Sequence, residues 1–379
     1  MKKNMQNDEL RLLQNERNGI CISIILPTHP LSPDRRTDRV QLEKDIQQAR
    51  SHIQSRYGNA VTGSLMQKID DLYNQLDFMH STAGVGLFVS GHVQKLVRFF
   101  FPVKERVSIS DKFDIRDLLY ASFYDVPYCV LVLSQKVAKL YNGNLNTVIE
   151  IADKYFPVKN SDEYEYNRPS RGSSYAGYSN VKEFKKDKSV TEEIRLKSFF
   201  RKTDELLHNY LNIDTPIIAA GDNKDLVYFS EVSEHDQNIA CNIPGNYTAY
   251  SERELGNLTW KAMKQFLDNK KENLTGDLRE QIGTGGPVIT GNAIGEIWRA
   301  ALDGRGYKLF VEKDHSLTGY VSDNNEYELY LHPPKHAYTI VPDIVNRIIE
   351  LVTEKYGEVI LVENDALRDH SRMALLTRY

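Results

Sequence analysis

The sequence predicts an α/β (α+β) chain of three mixed domains, residues 1–125, 126–278 and 279–379. Three observations carry this expectation. Short runs of β-branched and aliphatic residues, bounded by Pro, Gly or Asn, alternate with longer stretches of helical spacing. A glycine-rich break, Gly-Thr-Gly-Gly-Pro at 283–287, sets off the last segment. That segment then reads helix, strand, helix, strand, the order of a small α/β sandwich with both sheet faces covered.

In the first domain, residues 9–15 have the spacing of a short helix and 22–26 that of a strand stopped by Pro27. Residues 28–36 follow as a loop, kept out of regular structure by Pro30 and Pro33. Residues 40–56 predict a helix with Leu42, Ile46, Ala49 and Ile53 on one face, and 65–76 predict a second. A strand over 85–89 turns at Ser-Gly-His, a second strand covers 93–101, and 113–121 reads as a short helix. His29 stands just past a strand end, a common place for functional residues, although loop or structural duty weighs more for a lone histidine. With Arg35 and Arg36 it makes this loop a candidate contact.

The central domain opens with two apolar runs, 129–133 and 138–141, expected as a hairpin, with Asn142-Gly143 a turn signal after the second. Residues 146–151 extend the sheet, 217–221 form a buried strand whose Ala-Ala-Gly end suits a strand-to-helix turn, and 238–241 read as one more short strand. A helix is expected over 251–270, with Ser251 as N-cap and Glu254 completing a capping box. In the last domain, helices are expected over 293–302 and 342–356, the second with Pro342 in its first turn and Gly357 just past its end. Strands are expected at 307–311 and 359–362, and residues 323–326 read as a polar loop.

Between the central strands lies the chain's strongest local signal, an arm and helix over 167–202. The arm is rich in Gly, Ser, Tyr and Arg and poor in aliphatic residues, so it buries too little to repay its ordering entropy. It reads as a mobile basic arm followed by an amphipathic helix over 184–210. The candidate RNA contacts are Arg168, Arg171, Tyr175, Tyr178, Lys182, Lys185, Lys186 and Lys188. The cations neutralise phosphates while Tyr175 and Tyr178 stack on unpaired bases. The bland alternative is a loop and a solvated helix face, partly balanced by Glu183, Asp187, Glu192 and Glu193. On composition the two readings are close to even.

Other chemistry finds less support. The net charge of −4 means that the chain as a whole is not a basic nucleic-acid binder, so any RNA contact is local. Cys21, Cys129 and Cys241 lie far apart among apolar residues, which suits buried thiols in a reducing compartment better than a disulfide or zinc set. The 283–287 break lacks the Lys-Ser/Thr of a phosphate loop. His332 and His336 are four apart, but the prolines between them exclude a helix, so no metal is expected there. Asp365, Asp369 and His370 suit a capping or surface role better than an acid–base pair. The polar N-terminus and the absence of any long apolar stretch predict neither a secretion signal nor a membrane span.

Several stretches together resemble the archaeo-eukaryotic class-1 peptide-chain release factor and Pelota superfamily, in its bacterial branch. They are Ile-Ser-Ile-Ile-Leu-Pro at 22–27, Gly-Leu-Phe-Val-Ser-Gly at 86–91 and Phe-Asp-Ile-Arg-Asp-Leu-Leu at 113–119. The run 128–143, Ile-Ile-Ala-Ala-Gly at 217–221, the helix and loop at 297–306, the strand at 357–362 and the tail at 374–379 complete the set. The likeness covers nearly the whole chain as three domains in release-factor/Pelota order. It departs from the family at two motifs. The loop corresponding to the catalytic Gly-Gly-Gln loop, 168–181, contains no Gly-Gly-Gln, and the region of the stop-codon motif, 58–68, contains no Asn-Ile-Lys-Ser. The resemblance therefore implies a cytoplasmic, ribosome-associated factor that binds the A-site region without reading stop codons, in hibernation or rescue. It implies the ribosome and its RNA as partners, an elongation-factor-type GTPase as a companion, and no cofactor. The alternative is a peptidyl-tRNA or RNA hydrolase with a non-standard group in the arm, for which Asn167 and Ser173 are the candidates. A third reading keeps the fold and moves the target to another RNA or a protein.

Overall fold

A computed structural model describes residues 5–16, 19–29, 35–78, 82–160 and 181–379, with the backbone alone for 5–8, 35–36, 59–61 and 181–189. Helix α1 (Met5–Asn15) leads into strand β1 (Cys21–Pro27), helices α2 (Arg35–Tyr57) and α3 (Asn59–Asn74), strands β2 (Gly84–Val89), β3 (Gln94–Phe99) and β4 (Arg106–Ser110), and helix α4 (Arg116–Tyr124). The strands form an antiparallel sheet in the order β3-β2-β1-β4. Alternation along β1 sends Ile22, Ile24 and Leu26 to one face, against Leu42, Ile46 and Ile53 of α2 and Leu65 and Ile69 of α3. Cys21 and Ile25 face the other way, towards Leu10, Leu13, Phe113 and Leu118. A strand covered on both faces needs a nearly continuous apolar run, which residues 22–26 supply except at Ser23, whose buried hydroxyl accepts from the Asp114 amide at 3.0 Å.

Strands β5 (Tyr128–Leu133), β6 (Val137–Asn144), β7 (Thr147–Glu150) and β8 (Val158–Lys159) come next, then helix α5 (Val181–Leu207), strand β9 (Ile217–Gly221), helix α6 (Asn223–Ser230), strand β10 (Ile239–Pro244) and helix α7 (Glu252–Gly283). Their sheet has the order β10-β9-β5-β6-β7, with β8 on β6. Strands β5, β9 and β10 run parallel, while β6 returns antiparallel to β5. One face, including Leu131, Leu133, Leu140, Ile217 and Ala219, packs on Leu196, Phe199, Phe200 and Leu207 of α5 and Leu226 and Phe229 of α6. Thr259 of α7 lies 3.2 Å from the Tyr128 hydroxyl. A Cβ on Gly256 would come within 2.3 Å of the Asn146 carbonyl, so only glycine lets α7 pass the β6–β7 turn this closely.

The last elements are strand β11 (Val288–Thr290), helix α8 (Ile294–Leu302), strands β12 (Gly306–Glu312), β13 (Gly319–Ser322), β14 (Leu329–Tyr330) and β15 (Tyr338–Val341), helix α9 (Ile344–Glu354), and strands β16 (Glu358–Val362) and β17 (Met373–Thr377). One sheet has the order β11-β17-β12-β16, and a separate antiparallel sheet has the order β14-β13-β15. Phe310, Ile360 and Val362 pack with Leu274 and Leu278 of α7, while α8 and α9 pack on β17, β12 and β16. The expected sandwich has helices against its sheet, with Leu309, Val311 and Leu361 also buried.

The chain divides into two compact units, residues Met1–Phe123 with Lys271–Tyr379, and Tyr124–Lys270. The first unit joins the two ends of the chain through a polar seam. The Arg116 guanidinium, 1% exposed, donates to the His315 carbonyl and to Asp343, each at 2.8 Å. The Tyr120 hydroxyl donates to Glu363 at 2.6 Å, and Lys112 pairs with Glu354.

Several boundaries differ from the sequence expectation. Helix α2 already includes Arg35 and Arg36, so the loop ends earlier than residue 36. Helix α3 starts at Asn59, after a Gly58 held at φ 78°. Asn142 and Gly143 lie inside β6, whose side-chain alternation continues through them, and the chain turns at Leu145, φ 49°. Helix α7 runs on to Gly283, because residues 271–282 contain no proline and the single Gly276 is tolerated inside so long a helix. Pro342 precedes α9 rather than lying in its first turn; Asp343 is the N-cap, accepting from the Asn346 amide at 3.0 Å. The capping box at Ser251 and Glu254 forms as expected, at 3.0 and 3.3 Å. Cys21 and Cys129 are buried, whereas Cys241 is half-buried.

Candidate nucleic-acid interface

Helix α5 has two kinds of surface. Leu196 is the first buried residue among its described side chains, and Phe199, Phe200, Thr203 and Leu207 continue the buried face. Before Leu196 the described positions are exposed or half-exposed, with Val190 49% and Ile194 62% exposed. At 1.5 Å per residue, about 22 Å of helix precedes Leu196. Lys182, Lys185, Lys186 and Lys188 belong to this leading stretch. At 100° per residue, positions 182, 185 and 186 share one side of the helix and positions 183 and 187 the other. The four lysines thus belong to the leading turns of one helix. Arg168, Arg171, Tyr175 and Tyr178, together with Asn167 and Ser173, lie outside the described residues.

The approach to this segment is fixed from the other side by the sheet. Strand β8 pairs Val158 with Ala138 and Lys159 with Val137. Asn160 then donates its backbone N–H to the Lys136 carbonyl at 2.9 Å and its side-chain amide to the Gln135 carbonyl at 2.8 Å. These bonds leave Lys136 and Lys159 exposed at the β5–β6 end of the sheet. Sequence reasoning missed both lysines, because each sits singly in a short polar turn and only strand pairing brings them together. Next to Leu196, Lys197 bridges Glu193 and Glu231 at 2.6 and 2.7 Å and lies 5.0 Å from the Tyr228 ring centre. Lys224 approaches the same ring at 5.4 Å. Arg201 and Lys202, further along α5, are exposed.

The first-domain candidates are placed separately. The Asp38 carboxylate, in the first turn of α2, accepts from the His29 backbone N–H at 2.6 Å and lies 2.7 Å from ring Nδ1. Asp38 is buried while the His29 side chain is 49% exposed, so the carboxylate fixes the ring at the strand end. Arg35 and Arg36 open the same helix, and their side chains are not described.

A second orienting carboxylate went unread in the sequence. Buried Asp204 of α5 accepts from the Ser233 hydroxyl at 2.6 Å and the Glu234 amide at 2.8 Å, and lies 2.9 Å from His235 Nδ1. His235 Nε2 in turn meets His208 Nδ1 at 3.3 Å. The partners are some thirty residues apart in sequence, and no local motif announces them. This arrangement locks the turn after α6 to the far end of α5. Asp225, in the first turn of α6, is buried with neither carboxylate oxygen hydrogen-bonded, and burial followed by Asp222 raises its pKa.

Nucleophilic and metal chemistry find no assembled site among the described residues. Burial, then Glu16, pushes the Cys21 thiol up to about 12, and burial pushes Cys129 up to about 11, so both are protonated at neutral pH. Among the described residues no group of three or more His, Cys, Asp or Glu is placed to hold a metal ion. Nor, among the described residues, is any helix long and apolar enough to cross a membrane.

Comparison with known proteins adds a family to this geometry. An archaeal translation termination factor, aRF1, is similar at 12% identity and TM-score 0.24 over 100% of this chain and 99% of that one. Archaeoglobus fulgidus Pelota is similar at 15% identity and TM-score 0.37, over 78% of this chain and 84% of that one. Saccharomyces cerevisiae Dom34, a translation termination-like factor of RNA quality control that interacts with Hbs1, is similar at 14% identity and TM-score 0.37, over 75% and 74%. No curated protein matches. The model of bacterial archaeo-eukaryotic release factor family 3 matches residues 127–305, a span that holds the central sheet, helix α5 and its lysines, and over that span the chain is similar to this family.

Proposed function

We propose that the protein is a ribosome-associated translation factor that binds the A-site region without reading stop codons, in ribosome hibernation or rescue. The observation that carries this is the cation content of α5's leading turns, which precede Leu196, the first buried residue among its described side chains. Lys182, Lys185, Lys186 and Lys188 belong to those turns, and exposed Lys136 and Lys159 lie at the β6–β8 pairing, all inside the family match. In this reading Arg168, Arg171, Tyr175 and Tyr178 extend the contact, the arginines to phosphates and the tyrosines to unpaired bases. A net-negative chain has reason to concentrate its cations in this way, because ribosomal RNA repels the rest of its surface. His29, Arg35 and Arg36 are the proposed contact of the first domain on the decoding side. An elongation-factor-type GTPase is the proposed companion and the cytoplasm the proposed compartment. The missing Gly-Gly-Gln and Asn-Ile-Lys-Ser motifs favour occupancy over peptide release.

The test is sedimentation of the purified protein with vacant and with stalled bacterial ribosomes across a salt series, with peptidyl-tRNA integrity read in the same tubes. The proposal expects salt-sensitive binding with peptidyl-tRNA intact. Peptide release would move the protein to the hydrolase class and send the search to Asn167 and Ser173. Failure to sediment with either ribosome would remove the ribosome from the account.

A further inference from the structure

The small sheet β14-β13-β15 has one face packed on α9 and a second face that is open at Ile340 and closed at Ser322, which is buried. On the inner face, a Cβ placed on Gly319 would meet Leu329 at 2.9 Å and Ile344 of α9 at 3.0 Å, so this face is closely packed. Strand register fixes the composition of the outer face. Tyr320 pairs with Tyr330 on one side and Ile340 on the other, which puts these three in one row. Ser322 pairs with Tyr338, and Ser322 is two residues from Tyr320, so Tyr338 belongs to the same face. The Tyr320 and Tyr338 rings meet edge-on at 5.3 Å, and Tyr330 meets His336 at 5.5 Å. Ile340 is 56% exposed and the tyrosines around it are half-buried. An aromatic surface with an exposed aliphatic residue at its edge has the composition of a protein-docking face.

The rim decides what docks there. Residues 319–341 carry three carboxylates, Asp323, Glu326 and Glu328, against a single lysine, Lys335. Asp323 and Glu326 are exposed, and Glu328 accepts from the Tyr330 hydroxyl at 3.1 Å, which ties the acidic rim to the aromatic face. An acidic rim repels a phosphate backbone, so nucleic acid is disfavoured here although aromatic rings are present. A guanidinium or ammonium group, by contrast, gains from both features, from the ring faces and from the carboxylates beside them. We propose that the outer face of β14-β13-β15 is a docking surface for an arginine- or lysine-rich segment of a partner protein. Its charge is opposite to that of the basic positions proposed as the contact on α5.

The experiment uses the full chain and a short fluorescent Arg-Gly-Ser peptide, read by anisotropy, with oligouridylate and a Glu-Gly-Ser peptide as competing probes. The arginine peptide is expected to bind saturably. Tyr338→Ala and Ile340→Ser are each expected to weaken it about tenfold. Ile340 is exposed, so the second variant keeps the test valid if Tyr338→Ala unfolds the sheet. Glu326→Lys with Glu328→Lys is expected to weaken binding at least as much. Glu272→Lys with Glu280→Lys, the same charge change on exposed positions of α7, is expected to leave it within about twofold. Four results would overturn the proposal. These are wild-type affinity in Ile340→Ser and the rim variant, equal loss in the α7 control, preference for oligouridylate over the peptide at this face, or self-association that Ile340→Ser abolishes.

Discussion

The two halves of helix α5 share one backbone and differ in what surrounds them. From Leu196 to Leu207 the helix presents Phe199, Phe200 and Thr203 to the sheet and is buried along that side. From Val181 to Arg195 it has the same hydrogen-bond ladder but no buried residue among the described side chains. Propensity alone rarely holds a helix in water, so the packed half supports the leading half. The division teaches that the same secondary structure serves as core at one end and is exposed at the described positions before Leu196. Burial, not helicity, tells which is which.

The sharpest way to break this comparison is to delete a side chain from the packed half. Phe200 is fully buried, and Phe200→Ala is expected to cost about 3–5 kcal/mol of stability, read as a drop in the denaturation midpoint. Ile194 and Leu196 are two positions apart on either side of the division. Leu196→Ala is expected to destabilise by about 2–4 kcal/mol, whereas Ile194→Ala stays within about 0.5 kcal/mol. Equal losses would erase the division.

The leading half is tested by charge rather than volume. Lys182→Glu with Lys185→Glu and Lys186→Glu is expected to leave the melting temperature nearly unchanged. Ribosome affinity near physiological salt falls by about a hundredfold, and the slope of log affinity against log salt becomes shallower by about two to three. A melting temperature that falls with the affinity would mean that these lysines belong to the core account. Adding Lys136→Glu and Lys159→Glu is expected to reduce the slope further, which checks whether the approach strand is part of the same surface.

The tie at the far end of α5 is smaller. Asp204→Asn keeps the shape but weakens the bonds to Ser233, Glu234 and His235, and a loss of about 1–3 kcal/mol is expected without change in the salt slope. The smallest effect lies outside α5 and serves as a control. Burial, then Glu105, raises the Asp45 carboxyl from 3.8 to about 6. Its folded pKa exceeds its unfolded one, so the folded state binds more protons between these values. Stability from this group is therefore full below about pH 4 and is lost as pH rises through about 6. Asp45→Asn is expected to flatten that part of the pH profile and to raise stability at pH 7.5 by about 1 kcal/mol. A steeper profile in the variant would contradict the assignment.

Much of the fold was legible because the long elements announce themselves. Residues 129–133 and 217–221 are continuous apolar runs and 22–26 is one broken only by Ser23, and a strand buried on both faces can be little else. The capping box at Ser251 marked the start of α7 because two side chains satisfy amides reciprocally there. Its end was not legible. Residues 271–282 contain no proline, and Gly276 looks like a local stop in the sequence but is carried through by Leu274 and Leu278, which pack on either side of it. The strands of β14-β13-β15 span two to four residues, too short for alternation to show, and tyrosines at 320, 330 and 338 look unrelated until register aligns them. The basic positions of α5 could be read from composition. Lys136 and Lys159 could not, because a pairing between β6 and β8 is what makes them neighbours.

The measurement that bears most directly on the central claim is the salt dependence of ribosome binding by the wild-type chain and by the variant with Lys182, Lys185 and Lys186 changed to Glu, with thermal melts on the same samples. The account predicts matched melts, weaker binding in the variant and a slope shallower by about two to three. Matched melts with identical affinity and slope would contradict it, and would take the leading turns of α5 out of the interface.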